Sequence, residues 1–231
     1  MVRNTTIAVI SAQDQALRHA VDLKRIGHHA SALEVVRMLT TEYPDYDRGW
    51  CQLAATLIAI RDFAPALAAA REAIRLNSRY AESHVNAGIA AVGIGNLEAA
   101  RRYLVRALEL DPKNPIASLH LARTLRRLGN TSALGSSIHA IAHAHRDPAH
   151  ADAIVALTVA DLAQLPVHAA LPKFHHLLTS AARAMVGGQL HLAYAPLQRI
   201  LAHPAKRKVH TAAAVLLRRL WTMHGRIHPN G

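Results

Sequence analysis

The stretch "GNLEAARRYLVRALELDPKNP" runs from Gly95 to Pro115. It begins with a glycine, continues with apolar residues three or four positions apart, and ends with a proline. This order is typical of a turn, an amphipathic helix and a helix stop. Weaker copies of the pattern begin 34 and 68 residues earlier and 34 residues later. The stretch is therefore one member of an internal repeat.

The 34-residue period aligns residues of one kind at each phase. The turn phase holds Gly27, Arg61, Gly95 and Gly129. Five residues later stand Ala32, Ala66, Ala100 and Leu134. Each unit predicts two amphipathic helices, with small residues where they cross and a positive-φ turn between them. Because one helix pair cannot bury its apolar face alone, the units are expected to stack around a continuous core.

Composition agrees with an all-α protein. Among 231 residues 51% are hydrophobic but only 4% are aromatic, and alanine and leucine, both good helix formers, dominate. The single cysteine, Cys51, excludes a disulfide framework. The N-terminal segment has a very short apolar core, and no stretch approaches 18 uncharged apolar residues. We expect a soluble, cytoplasmic protein without a membrane span.

The chain is strongly basic, with a formal net charge of +12 and 17 histidines. Such a balance favours acidic partners, which include nucleic acid, an anionic membrane surface or an acidic protein. A composition rich in arginine and alanine also arises from a GC-rich genome. Charge alone leaves both explanations open.

Two units carry the clearest motifs. Residues 47–80 contain "W-x2-L-A-x2-L" from Trp50, followed by Ala66 and Ala73. Residues 81–114 contain "A-G-x2-A", "G-N-L-x2-A" and "L-D-P". In these motifs, repeated in register, the chain resembles the tetratricopeptide repeat family. The resemblance implies a right-handed α-solenoid of helix–turn–helix repeats, with about twelve helices in the whole chain.

We predict four repeats at 13–46, 47–80, 81–114 and 115–148, after an N-terminal segment 1–12. Arg61 departs from the turn glycine, and Leu134 departs from the small residue, where the helix crossing should loosen. The remainder, 149–231, is predicted to be a divergent helical extension with a degenerate repeat at 174–207 and a capping helix at 207–224. Alternatively, a helix at 150–164 pairs with 173–186, and 189–202 pairs with 207–223.

The resemblance also implies where a ligand would bind. In this family the first helix of each repeat lines a concave groove, and ligand contacts come from set positions of that helix. Carried over to this chain, those positions nominate a peptide-binding groove of Arg25, Cys51, Gln52, Ala55, Ile58, Val85, Asn86, Ile89, His120, Arg123, Arg126 and Arg127.

The middle of this groove is apolar and its ends are basic. It would suit an extended peptide or an amphipathic helix of a partner protein, with acidic flanks read by the arginines. Gln52, Asn86 and His120 share one phase and could hold a peptide backbone. The chain's own C-terminal helices or a second copy could instead cover the apolar strip. The lysine–asparagine clamp of chaperone-binding family members is not matched, which argues against a C-terminal carboxylate ligand.

Other motifs give weaker signals. His139 and His143 lie four residues apart on one helix face and could share a metal, but no carboxylate or cysteine completes a set, so surface histidines are the better interpretation. The motifs of metalloproteases, nucleotide-binding proteins and serine hydrolases do not occur. We therefore predict no enzyme activity, no cofactor and no metal.

Basic clusters such as "RTLRRLG" and "LLRRLW" could follow phosphates but lack aromatic residues for base stacking. The sequence thus favours a non-catalytic adaptor or assembly factor that binds a partner protein in its groove. The alternatives are a self-assembling scaffold that uses the same groove and a basic protein associated with nucleic acid.

Overall fold

The computed structural model describes residues 11–130, 133–148, 150–164, 173–202 and 207–227. The predictions that fall on residues 1–10, 165–172 and 228–231 or on the Leu134 side chain lie outside the described residues. The described residues form twelve α-helices and one 3-10 turn and contain no strand, which confirms the all-α fold.

The helices follow one another along the chain as α1 Ala12–Arg25, α2 His29–Glu42, α3 Asp47–Ala59, α4 Phe63–Leu76, α5 Ala81–Gly93, α6 Leu97–Leu110, α7 Pro115–Arg127, α8 Ala133–His143, α9 Ala151–Ala163, α10 Lys173–Val186, α11 Leu190–Ala202 and α12 Arg207–Ile227, with the 3-10 turn Ala144–Arg146 after α8. The first eight are the two helices of each predicted repeat. The contacts among all twelve described helices divide the chain into two compact bodies. We call them the N-body (up to Tyr103) and the C-body (from Leu104).

The turns between paired helices share one hydrogen-bond pattern. At the first, Gly27 N–H donates to Lys24 O (3.1 Å) and His28 N–H to Leu23 O (2.9 Å). The same two bonds recur at residues 61, 95 and 129, and the central residue has a positive φ each time. This is the Schellman motif, in which a left-handed residue satisfies the last helical carbonyls. The position predicted from the sequence as the turn is therefore one at which the backbone must adopt a positive φ.

A fifth copy of this turn occurs in the extension. Gly188 has a φ of 72°, its N–H donates to Met185 O, and Gln189 N–H donates to Ala184 O. It joins α10 to α11, and these helices pack against each other. This helix pair is the predicted degenerate repeat 174–207, but α9 also packs on α10 and α11 on α12, as in the alternative pairing, so the division of the extension stays a prediction. The helix α12 packs on both α11 and α8.

Small residues occur where the helices cross. In the N-body, Ala20, Ala32, Ala54, Ala66 and Ala70 are fully buried. A methyl side chain lets two backbones approach closely, so the N-body core is built largely from alanines with Val36 and Leu57 between them. The C-body core uses larger aliphatic residues, namely Ile138, Ile141, Leu162, Leu178, Leu197, Ile200, Leu216 and Leu220.

Arg61 is strained by its turn. Its φ is 65°, where L-residues with a Cβ are disfavoured and glycine is not. Replacing Arg61 with glycine should therefore raise the free energy of unfolding of the N-body by about 1 kcal/mol. Urea denaturation followed by the fluorescence of Trp50, which lies in the N-body, would measure the change. Arg61→Ala is the control and should bring no gain, since alanine keeps the Cβ.

Candidate peptide-binding face

The nominated N-body residues lie on the first helices of their repeats. Arg25 is the last residue of α1, Cys51, Gln52, Ala55 and Ile58 are on α3, and Val85, Asn86 and Ile89 are on α5. The helices α1 and α3 are neighbours, as are α3 and α5, so the N-body brings these positions together on one side. We call this side the α1–α3–α5 face.

A side-chain hydrogen bond fixes the register of α3 and α5 on this face. Asn86 Nδ2 donates to the backbone oxygen of Cys51 (3.1 Å) and approaches its Sγ (3.3 Å). The amide nitrogen of Asn86 is thus used within the chain, and its oxygen can act as an acceptor. Asn86 therefore ties α3 to α5, and it is also one of the three residues, with Gln52 and His120, predicted to hold a peptide backbone.

Two of the nominated apolar residues are core rather than surface. Cys51 is 5% exposed and Val85 is 6% exposed. Burial raises the pKa of the Cys51 thiol to about 11, so the group stays protonated near neutral pH and is neither a nucleophile nor a metal ligand there. A partner can contact these two residues only over small areas.

The accessible apolar surface comes from other positions. Ala55 and Ile58 on α3, and Ile89 and Val92 on α5, are each partly exposed. Ile58 and Val92 also pack against buried residues, so they are held in place by the core. These four residues form an ordered strip that a partner side chain could cover. Beside it, the Gln52 Nε2 atom is buried and has no hydrogen-bond partner within the described part of the chain.

Charge on this face is mixed but mainly positive at the α1 end. Arg25 is exposed and pairs with Asp22 on its own helix at 3.3 Å. Burial lowers the pKa of Lys24, while Cys51 and Glu82 act in the opposite direction. Arg48 and Glu82 are exposed on α3 and α5. A ligand with acidic residues near α1 would be favoured over a basic one.

The C-body holds the other four nominated residues, all on α7, and two of them are already paired. Arg126 Nη2 donates to Asp161 Oδ1 (3.0 Å), and its Nη1 donates to Gln164 Oε1 (2.7 Å). Arg123 Nε lies 3.3 Å from Asp161 Oδ2. The carboxylate comes from α9, whose Asp161 is only 7% exposed. Arg127 is exposed, and His120 is partly buried.

Asp161 and Gln164 are therefore the residues that sequence reasoning missed. They lie in the extension, where the repeat register is lost, so no periodic position pointed to them. The only available signal was a carboxylate, which is scarce in this chain, inside the otherwise apolar helix "ADAIVALTVADLA". This pairing bears on the arginines predicted to read acidic flanks, because Arg123 and Arg126 already have a carboxylate of the same chain.

His120 makes the stability of the C-body sensitive to acid. Burial of its ring, aided by the positive charge of Arg123, lowers its pKa to about 4, against about 6.5 in an unfolded chain. Because the fold favours the neutral ring, its contribution is complete above pH 6.5 and is lost as the pH falls toward 4. Between pH 7.5 and 4.5 we expect His120 alone to remove about 2 kcal/mol of unfolding free energy.

Denaturant unfolding at those two pH values, monitored by circular dichroism, would test this expectation. His120→Gln should flatten the pH dependence, whereas His191→Gln, which changes an exposed histidine of the same body, should leave it as in the wild type. A His120→Gln protein that loses as much stability in acid as the wild type would contradict the assignment.

In each of the two histidines considered as metal ligands, the Nδ1 atom contacts another group of the same chain. The rings of His139 and His143 are stacked with centroids 4.2 Å apart. His143 Nδ1 lies 3.0 Å from His139 O, and Lys208 Nζ lies 3.0 Å from His139 Nδ1. Across the described ranges no three histidine, cysteine or carboxylate side chains are grouped as metal ligands would be. Within the same ranges, no helix has the length and apolarity needed to span a bilayer.

The repeated hairpins, the Schellman turns and the alanine-lined crossings define a helical-repeat protein. Comparison gives the family of one repeat, since the sequence profile of the tetratricopeptide repeat matches residues 81–114. The predicted resemblance to the tetratricopeptide repeat family is confirmed at these residues, and the helical fold around them agrees with it.

Known proteins with similarity to this chain include both curated sequences and solved structures. DnaJ homolog subfamily C member 7 of Homo sapiens and of Mus musculus is 41% identical over 61 residues, which is 26% of this chain and 12% of that protein's length. The chain therefore matches only a small part of these relatives.

Among solved structures, a thermophilic tetratricopeptide repeat protein of Thermus thermophilus aligns over 89% of this chain and 99% of its own, with a TM-score of 0.60 and 20% identity. A variant of the O-GlcNAc transferase of Thermobaculum terrenum aligns over 59% of this chain and 26% of its own, with a TM-score of 0.52 and 25% identity. These likenesses concern the helical-repeat fold.

Proposed function

We propose that this protein is a non-catalytic adaptor that binds a peptide or an amphipathic helix of a partner protein on the α1–α3–α5 face. The observation that carries the proposal is the partly exposed strip of Ala55, Ile58, Ile89 and Val92. A peptide side chain that covers such a strip is removed from water, which stabilises the complex. The cytoplasmic location predicted from the sequence is retained in the proposal.

Polar groups beside the strip supply the directional part of binding. Gln52 Nε2, which is buried and has no hydrogen-bond partner among the described residues, can donate to a peptide carbonyl once its side chain rotates outward, and the Asn86 side-chain oxygen can accept from a peptide N–H. A buried polar group without a partner carries a cost of about 1–3 kcal/mol, which a bound peptide would relieve. This pair fits an extended backbone at least as well as a helix, whose backbone groups are already bonded.

Preference for acidic flanks is assigned mainly to the α1 end. Lys24 and Arg25 lie there, and the carboxylate that pairs with Arg25 is itself exposed. Arg123 and Arg126 of the C-body would first have to leave Asp161. Of the four nominated C-body residues, we keep the exposed Arg127 as a candidate for charge selection.

A substitution on the strip tests the adaptor function. Ile89→Glu should weaken binding of peptides selected from a displayed random library by about 100-fold, because it places a charge where an apolar side chain must dock. Met38→Glu is the matched control, since Met38 is a 69% exposed apolar residue on α2 of the same body. Isothermal titration calorimetry would give the affinities, and thermal melts would show that both variants fold.

The two alternative functions, a self-assembling scaffold and a nucleic-acid-associated protein, predict different results for the Ile89→Glu variant. Equal binding by Ile89→Glu and the wild type would reject the α1–α3–α5 face as the site. Oligomers that form with rising concentration in light scattering, and that Ile89→Glu abolishes, would favour the self-assembling scaffold. Retention on nucleic acid that falls steeply with salt and ignores Ile89→Glu would favour the basic nucleic-acid-associated protein.

A further inference from the structure

A cleft opens in the C-body between α9 and α12. Both helices pack against α8, and the 3-10 turn after α8 lies between them. The cleft has a volume of about 460 Å³, which is within the range of small-molecule sites. Its walls are formed by Ala144, His145, Ala151, Asp152, Val155, Thr211, Ala214, Val215, Arg218, Arg219 and Thr222.

Small side chains create the space. Ala144, Ala151 and Ala214 stand where longer aliphatic residues would fill the gap between the two helices. Val155 and Val215 complete an apolar floor. Water in contact with such a floor is readily displaced by an apolar group, so the floor favours a ligand with a hydrocarbon body.

The mouth of the cleft carries an uncompensated positive charge. Arg219 Nη1 donates to Asp152 O (3.1 Å) and lies 3.6 Å from the Asp152 carboxylate, so Arg219 and Asp152 are matched. Arg218 is exposed at the same mouth and makes no ion pair with any residue that the structure describes. A ligand with one anionic group would meet Arg218 there.

The remaining polar residues of the wall are His145 and two threonines, and the threonines add little hydrogen-bonding capacity for a ligand. Thr211 Oγ1 donates to Arg207 O (3.0 Å) and Thr222 Oγ1 donates to Arg219 O (2.8 Å), so both hydroxyl protons are used within α12. A sugar or a nucleotide would need several donors and acceptors in the wall. The lining instead suits a molecule with one polar end.

We propose that this cleft binds a small amphipathic carboxylate, with its hydrocarbon chain on the alanine and valine floor and its carboxylate on Arg218. A volume of about 460 Å³ is on the scale of a small molecule, whereas a partner helix with its side chains is about 10 Å or more in diameter. The cleft belongs to the C-body, and the inference does not depend on the peptide-binding face of the N-body.

Titration of the full-length protein with decanoate, below its micelle concentration, tests the proposal by calorimetry. Arg218→Gln should weaken decanoate binding by about 10-fold, because it removes the charge-assisted hydrogen bond, and should leave decanol binding unchanged. Arg199→Gln, which removes an exposed arginine of α11 in the same body, should change neither. Ala214→Phe should abolish binding of both ligands, because Ala214 is exposed on the cleft side and its replacement fills the space.

Three outcomes would overturn the proposal. The first is decanoate binding that survives Ala214→Phe, which would place the ligand elsewhere. The second is equal affinity for decanoate and decanol, which would remove the role of Arg218. The third is no binding together with a clear rise in thermal stability of Ala214→Phe, which would make the cleft a packing defect.

Discussion

Replacing Asp161 with alanine is expected to lower the free energy of unfolding of the C-body by about 3 kcal/mol. The carboxylate is nearly buried and lies against two guanidinium groups of α7, at 3.0 Å from Arg126 and 3.3 Å from Arg123. Its loss leaves two neighbouring positive charges without a counterion in a poorly solvated place. Since both arginine side chains are partly exposed, we set the effect at the lower end of the range for buried pairs.

Asp152 offers a matched control for this substitution. It is on the same helix and lies 3.6 Å from Arg219, but its side chain is fully exposed. Asp152→Ala should therefore change the unfolding free energy by less than about 0.5 kcal/mol. Urea denaturation followed by circular dichroism would compare the two. Equal small effects would show that the Asp161 pair adds nothing to C-body stability.

Removing the charge of Asp161 also has a functional consequence. With Asp161→Asn, the arginines at the predicted basic end of the groove lose their internal carboxylate and become available to an acidic peptide. If Arg123 and Arg126 can read acidic flanks, acidic peptides should bind this variant more tightly than the wild type. Unchanged affinity would restrict peptide binding to the N-body.

Gly93→Ala is expected to destabilise the N-body by about 2 kcal/mol, although alanine is ordinarily the better helix former. A Cβ on Gly93, the last residue of α5, would lie 2.2 Å from Cγ of the Phe63 ring and within 2.5 Å of both Cδ atoms. The clash would be with the ring atoms nearest the Phe63 backbone, which a small side-chain movement cannot take out of the way. The Phe63 ring would therefore have to leave its position at the start of α4. The cost is the packing of this half-buried ring.

A double-mutant cycle makes this prediction specific. In a Phe63→Ala background there is no ring to displace, so Gly93→Ala should become neutral or slightly stabilising. Denaturation followed by Trp50 fluorescence would report on the N-body, which contains that tryptophan and not Trp221. A cost of the same size in both backgrounds would assign the effect to the α5 backbone and not to Phe63.

Much of this fold could be predicted because the same sequence pattern occurs four times at a fixed spacing. A single glycine at residue 95 is weak evidence for a turn, but four turns spaced by 34 residues, each with a positive φ, follow one rule. Arg61 shows the strength of that rule, since it adopts the glycine conformation without being glycine. The buried alanines, from Ala20 to Ala66, were predictable for the same reason.

The candidate site was predictable only in part. The resemblance to the repeat family nominated Gln52, Ala55, Asn86 and Ile89, and the fold puts them on the neighbouring helices α3 and α5. Helical phase does not report how deeply a residue lies, and Cys51 turned out to be core. It also does not report side-chain partners, such as the bond from Asn86 to the Cys51 carbonyl.

By itself, then, the sequence determined the local and periodic features of this protein: its paired helices, the Schellman turns and the alanine-lined crossings. Only the tertiary structure decided the pairing of Arg123 and Arg126 with Asp161 and the opening of the α9–α12 cleft. The physical reason is the same for both. They depend on where α9 and α12 pack relative to the other helices of the C-body. These helices lie outside the regular repeat, so their side-chain contacts are set by packing in three dimensions. The sequence of this region has no 34-residue period from which the contacts could be predicted.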